Sequence, residues 1–326
     1  MDTNTTPQWV TNIVHTCMAL QRGEKLLVVV DEPLSDARDA LLTEAIKTGP
    51  AELWSYTFPN ASRPFREYPA SLLTLFTQVD AVVLLLASMD TPKELPAWTA
   101  GKVVVLSSRA RAGWGAFIDQ SVLDCEMSAD YEQIAAFTLS LAERLRGSSS
   151  AHVTTTLGTD LHMSLVGREW RAETGKLRGR GVYGNLPAGE IYIAPNEDSA
   201  EGVLVIDKCL PGLLLSEPVK LVFEKGRVKQ IEGGEGARYL ENAITQHGDA
   251  TRIIAELGIG TNTKARLQGN ILTDEKVLGT IHIAIGRNDF IGGTNIATTT
   301  HIDGIVSQPT LKIDGKMLIH NGEHSR

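Results

Sequence analysis

An α/β domain with a mainly parallel sheet, followed by a β-rich α+β domain that binds metal, is the fold class this chain predicts. Three observations carry that expectation. In the first half, continuous apolar runs alternate with helical patterns, which is how strands buried on both faces of a parallel sheet read. Beyond residue 150 the apolar runs become short and are punctuated by Gly and Pro. Within that second half, Leu272 to Asp303 gathers Asp274, Glu275, His282, His301 and Asp303 in 32 residues of otherwise apolar sequence.

Taken in order, residues 8 to 20 place Trp9, Val10, Ile13, Val14, Cys17 and Met18 at helical spacing before the Arg22-Gly23 break. Lys25 to Val30 (KLLVVV) reads as a buried strand, and Asp36 to Lys47 as a helix with Ala37, Ala40, Leu41 and Ile46 inward. Glu52 to Phe58, Ala81 to Ala87 and Lys102 to Ser107 (KVVVLS) are the further strands expected in this sheet. The first strand-to-helix turn carries neither GxGxxG nor GxxxxGK[ST], so the familiar nucleotide sites have no support. Tyr131 to Arg146 closes the domain as a long helix, and Gly147-Ser148-Ser149-Ser150 is the expected linker. The predicted domains are therefore an α/β scaffold over residues 1–147 and a β-rich, metal-binding catalytic domain over 151–326.

In the second domain, strands are expected at Val153–Leu157, Asp160–Val166, Glu190–Ala194, Val203–Asp207, Val219–Phe223 and Arg227–Ile231. A helix from Gly236 to Leu257, broken near Gly248, delivers Glu256 at its end. Two strands joined by a Gly-rich turn carry His282 and the His301-Ile302-Asp303 triplet, and a last strand pair surrounds the Asp314-Gly315 turn.

Composition limits the function classes. A net charge of −8 and the absence of an extended basic stripe argue against a nucleic-acid partner. Three dispersed cysteines suggest neither a disulfide framework nor a thiolate zinc site. Neither a signal-type N-terminus nor an 18-residue apolar run is present, so a cytoplasmic protein with no membrane partner is expected.

On a strand, His301 and Asp303 point to one face with Ile302 behind them, and His282 alternates with Ile281 and Ile283 in the same manner. A lone strand histidine is more often a core or surface residue than a ligand. Two histidines with Glu190 at a strand start, Glu256 among residues that cannot solvate it, and the Asp274-Glu275 pair shift the balance to a metal site.

The segments NLPAGEIYIAP, AELGIGTN, TDEKVLGTIHIAIG and THIDGI resemble the leucyl metallo-aminopeptidase family of the type found in thermophilic bacteria. That resemblance covers residues 151–326 and implies a hydrolase acting on the N-terminal residue of small peptides, working as a homodimer. It implies two divalent ions (Zn, Mn or Co) held by Glu190, Glu256, Glu275, His282, His301 and Asp303, with Asp274 as an alternative to Glu275. Glu190 and Asp289 are the catalytic candidates, although Asp289 stands where that family has a tyrosine. GEIYIAP and HID are also similar to the 2,5-dihydroxypyridine dioxygenases, which implies a single Fe(II) bound by His301, Asp303 and either His282 or His247. A metal-binding homologue without peptidase activity is the third possibility.

Overall fold

The computed structural model describes residues 5–89 and 91–325, without the side chains of 91–93, 95–99 and 106. Residues 1–4, part of the N-terminal stretch read for targeting, lie outside the described residues, as does the end of the second predicted domain at Arg326. Packing divides the chain into one unit of Met1–Ala135 with Glu173–Ala188 and another of Ala136–Ala172 with Gly189–Arg326. The division thus falls within the helix Tyr131–Arg144, ahead of the expected Gly147–Ser150 linker. The segment that returns to the first unit does so because Tyr183–Asn185 adds a strand to its sheet.

The first unit holds a five-stranded parallel sheet in the order Glu52–Phe58, Lys25–Asp31, Ala81–Leu85, Arg111–Gly115, Tyr183–Asn185. Side chains alternate across it as a strand requires. Leu26, Val28, Val30, Val83 and Leu85 enter one core, and Leu27, Val29, Val82 and Leu84 the other. One predicted strand is overturned: Lys102–Ser107 lies inside an α-helix, Thr91–Ser108, and the strand of that βα repeat is Arg111–Gly115. A short apolar run cannot be assigned by periodicity alone: Val103-Val104-Val105-Leu106 fits a buried helix as well as a strand, and RAGWG supplies the strand. At the C-terminal end of the first strand, buried Asp31 accepts from the Ala87 amide at 2.9 Å and pairs with Arg63 at 3.2 Å, and Arg63 also pairs with Glu94 at 2.7 Å. An arginine of the chain itself thus pairs with the acid at the C-terminal end of this strand, the end at which such sheets bind ligands.

The second unit contains an eight-stranded antiparallel sheet and a five-stranded sheet ordered His301–Val306, Ile281–Gly286, Ile254–Gly260, Glu190–Ile193, Arg171–Glu173. The first four of these strands are antiparallel to their neighbours. Ile191, Ile193, Leu257, Ile259, Ile281, Ile283, Ile285 and Ile302 pack into one core with Leu161, Met163, Leu204, Ile206, Leu221 and Phe223 of the larger sheet. At roughly 1.5–3 kcal/mol per fully buried aliphatic side chain, that face anchors the small sheet and leaves its other face for polar groups. The expected 236–257 helix is shorter than predicted: it runs Gly234–His247, ends at Gly248 (φ 89°), and Glu256 lies within the strand Ile254–Gly260.

Candidate metal centre

The register of the five-stranded sheet assembles the centre. Gly260 faces Glu190 and Gly258 faces His282 across the ladder, and Ala284 lies between Glu256 on one side and Asp303 on the other. With period two, Glu190, Glu256, His282, His301 and Asp303 share the face opposite the isoleucines. Gly258 is required there, because a Cβ at this position would lie 1.8 Å from His282 Nε2 and 2.0 Å from Cε1. The imidazole lies directly over the glycine.

Two groups of three potential ligands result, Glu190–Glu275–His282 and Glu256–His301–Asp303, each with ligand atoms within 4.8 Å of one another. His282 Nε2 joins them, at 3.2 Å from Glu256 Oε1 and 3.4 Å from Glu190 Oε2. His301 Nε2 lies 3.2 Å from Glu256 Oε2 and 3.3 Å from Asp303 Oδ1. Its Nδ1 is 2.7 Å from the Arg287 carbonyl, which accepts the Nδ1 proton and turns Nε2 towards the carboxylates.

Burial works against protonating His282, but Glu256, Glu190 and Glu275 outweigh it and lift its pKa to about 9. His301 is likewise opposed by burial and raised well above its ordinary value by Asp303 and Glu256. Burial pushes the Glu256 carboxyl up, yet hydrogen bonds to His282 and His301 hold it at about 2. Glu275 is raised by burial. Without a cation the centre is thus a cluster of carboxylates that attracts protons onto its imidazoles.

The residues present fit a divalent ion. Asp303 Oδ1 is buried and lies 3.3 Å from His301 Nε2 without a well-formed hydrogen bond, and two imidazoles with carboxylates form a mixed N/O donor set. Other candidates point elsewhere. Asp274 is fully buried but accepts from the Gln268 and Gly269 amides at 2.9 and 2.8 Å and from Cys209 Sγ at 3.0 Å. Asp289 is held by Arg287, Nε to Oδ1 at 2.6 Å, and belongs to neither group. His247 bonds the exposed Thr299 hydroxyl through Nδ1 at 3.1 Å.

Sequence reasoning missed two residues. Lys276, fully buried, places Nζ 2.6 Å from both Glu190 Oε1 and Glu275 Oε1. Tyr239, on the Gly234–His247 helix, has a phenol raised first by burial and then by the Asp303 carboxylate. The lysine was legible as the third residue of DEK, but beside two acids it reads as an ordinary solvated charge. A surface depression of about 400 Å³ lined by Asn196, Glu197, Asp198, Lys225, Arg227 and Ile253 contains none of these groups.

Comparisons with known proteins relate the chain to two kinds of enzyme. The chain is 28% identical over 195 residues to 2,5-dihydroxypyridine 5,6-dioxygenase of Pseudomonas putida, covering 55% of this chain and 55% of that protein. It is 26% identical over 180 residues to aminopeptidase AmpS of Bacillus subtilis, covering 48% of this chain and 43% of that one. The matched stretch spans about half the length of these curated relatives. Among solved structures, 2,5-dihydroxypyridine dioxygenase from P. putida superposes with a TM-score of 0.78 at 20% identity, covering 98% of this chain and 96% of that one. AmpT from Thermus thermophilus superposes at 0.74 and 17%, covering 98% of each. Both likenesses establish the fold, an α/β region with a parallel sheet followed by an antiparallel β-rich region. No helix among the described residues is long and apolar enough to cross a membrane. The family model described as NicX, 2,5-dihydroxypyridine 5,6-dioxygenase, matches residues 125–326, more than half of the chain, and the protein belongs to that family.

Proposed function

We propose that the chain is a mononuclear non-haem Fe(II) dioxygenase that opens a small dihydroxylated N-heteroaromatic ring, with His282, His301 and Asp303 holding the iron. The observation that carries this reading is that His282 Nε2 and His301 Nε2 each lie 3.2 Å from an oxygen of the same buried carboxylate, Glu256, with Asp303 Oδ1 3.3 Å from His301 Nε2. Two imidazoles and one carboxylate are the donor set of Fe(II) oxygenases that keep positions open for substrate and oxygen. The sequence match to a named ring-cleaving dioxygenase adds support.

Bound there by His282, His301 and Asp303, iron would supply the activation of dioxygen that ring opening needs. The protein's own groups do the rest. The Arg287 carbonyl fixes the His301 ring, and Gly258 admits the His282 ring close to the sheet. Glu256, ionised and 3.2 Å from both Nε2 atoms, is the carboxylate placed to accept a hydrogen bond from a ring hydroxyl. Phe290, half exposed and edge-on to His301 at 5.2 Å between ring centroids, offers an aromatic wall for a flat substrate.

The dinuclear aminopeptidase expected from the sequence is the second reading, favoured by the AmpS match and by six donors in contiguous groups. The two are separated by loading the protein anaerobically with Fe(II) and following oxygen uptake with 2,5-dihydroxypyridine, beside leucyl-anilide hydrolysis with Zn, Mn or Co. Oxygen consumption with ring opening and no peptide cleavage is expected. Metal-dependent release of the anilide, without oxygen uptake, would overturn the proposal.

A further inference from the structure

Lys276 is the one cationic side chain at the centre's heart among the described residues, and its position coincides with a ligand group. Its Nζ lies 2.6 Å from an oxygen of Glu190 and 2.6 Å from an oxygen of Glu275. Those two carboxylates, with His282, are the Glu190–Glu275–His282 group. The lysine is fully buried and both acids are nearly so. An ion taking these same two oxygens at about 2.0–2.2 Å would compete with the ammonium for its place, and Glu190 turns its other oxygen, Oε2, to His282 Nε2 at 3.4 Å.

We propose that Lys276 is a built-in cation in place of a second metal ion, and that it restricts this chain to the one ion assigned above to His282, His301 and Asp303. This rests on the metal-centre reading above and deepens it. Four buried carboxylates repel one another and need compensation. One divalent ion and one ammonium bring the four to within a single charge of neutrality, whereas a second divalent ion would leave the ammonium without a role and force it from its carboxylates. Lys276 is a positioning residue: it ties Glu190 to Glu275, and His282 keeps its Nε2 for the remaining ion. The carboxylates expected to ligate a second ion are thereby salt-bridge partners.

The test is ion stoichiometry measured on the whole chain by equilibrium dialysis with Zn²⁺ or Mn²⁺ and elemental analysis. Wild type should bind one ion, Lys276→Ala two, and the space-filling neutral variant Lys276→Met one. The second ion in Lys276→Ala should be lost again on adding Glu275→Gln. Should Lys276→Ala fail to fold, Glu190→Gln in the wild-type background decides. With the carboxylate serving the lysine, that variant keeps one ion with affinity changed by less than about tenfold, while Asp303→Asn weakens it by roughly tenfold or more. One ion in wild type and still one in a folded Lys276→Ala overturns the inference while leaving the metal centre standing. Two ions in wild type also overturn it, and no ion in any variant removes the metal centre and the inference together.

Discussion

Replacing Gly258 by alanine isolates the contact that positions His282. The added Cβ would lie 1.8, 2.0 and 2.6 Å from three atoms of the imidazole, against an ordinary contact of 3.4 Å or more. The ring must therefore retreat by about 1.5 Å, a forced overpacking of the kind that costs about 1–3 kcal/mol. Gly258 has no left-handed backbone requirement, so the cost is steric. Retreat carries Nε2 away from Glu256 and the bound ion, and metal affinity should fall at least tenfold. A double-mutant cycle checks the cause: in a His282→Ala background the same substitution has no ring to displace and should cost less than about 0.5 kcal/mol. Urea unfolding of the four chelated proteins gives the coupling, and titration calorimetry of wild type and Gly258→Ala gives the affinity loss. Equal costs in both backgrounds, or an unchanged metal affinity in Gly258→Ala, would refute the placement of His282 as a ligand held over the sheet.

Metal uptake should release protons at pH 7, because His282 is held near 9 and His301 is raised above its ordinary range in the ion-free protein. Apparent affinity should climb with pH towards 9, and calorimetry in buffers of different ionisation enthalpy should count the protons; none released contradicts the geometry. By linkage, raised histidine values give the chelated protein stability that is full below about pH 6.5 and is lost as pH rises through about 9, so its melting temperature should fall over that interval while the loaded protein's does not. Glu44, held at about 2 chiefly by Lys47 and then by His15, contributes stability that is present above about pH 4.5 and lost as pH falls through 2. Glu44→Gln should cost about 1 kcal/mol at pH 7, discounted for its exposed partners, and nothing near pH 2. Asp289→Tyr should fail to create leucyl-anilide hydrolysis, since Asp289 pairs with Arg287 and lies outside both ligand groups; a gain of metal-dependent peptidase activity would restore the dinuclear reading.

Much of the fold was legible because strand periodicity is local. KLLVVV, AVVLL and IHIAIG alternate or run apolar over lengths that a helix does not use, and the same alternation placed His301 and Asp303 on one face. KVVVLS failed because a short valine-rich run fits a buried helix as well as a strand, and only the neighbouring RAGWG strand, weak in apolar residues, resolves it. Glu256 was assigned to a helix end because AELG continues an apparent period across Gly248; its place is set by pairing with the His282 strand, which is non-local. Lys276 and Tyr239 were beyond reach for a related reason: a lysine's ordinary meaning in DEK is solvent, and its role here exists only because Glu190, 86 residues away, meets it in the fold. Asp289 was selected by its position relative to a family tyrosine, and the Arg287 pair that engages it is two residues distant and carried no signal of its own.

The most direct test is the origin of the oxygen in the product. Fe(II)-loaded protein given 2,5-dihydroxypyridine under ¹⁸O-labelled dioxygen should yield a ring-opened product carrying both labelled atoms, and His301→Ala should yield none. Product labelled only from water, or peptide hydrolysis as the sole activity of the metal-loaded chain, would contradict a single-iron oxygenase at His282, His301 and Asp303.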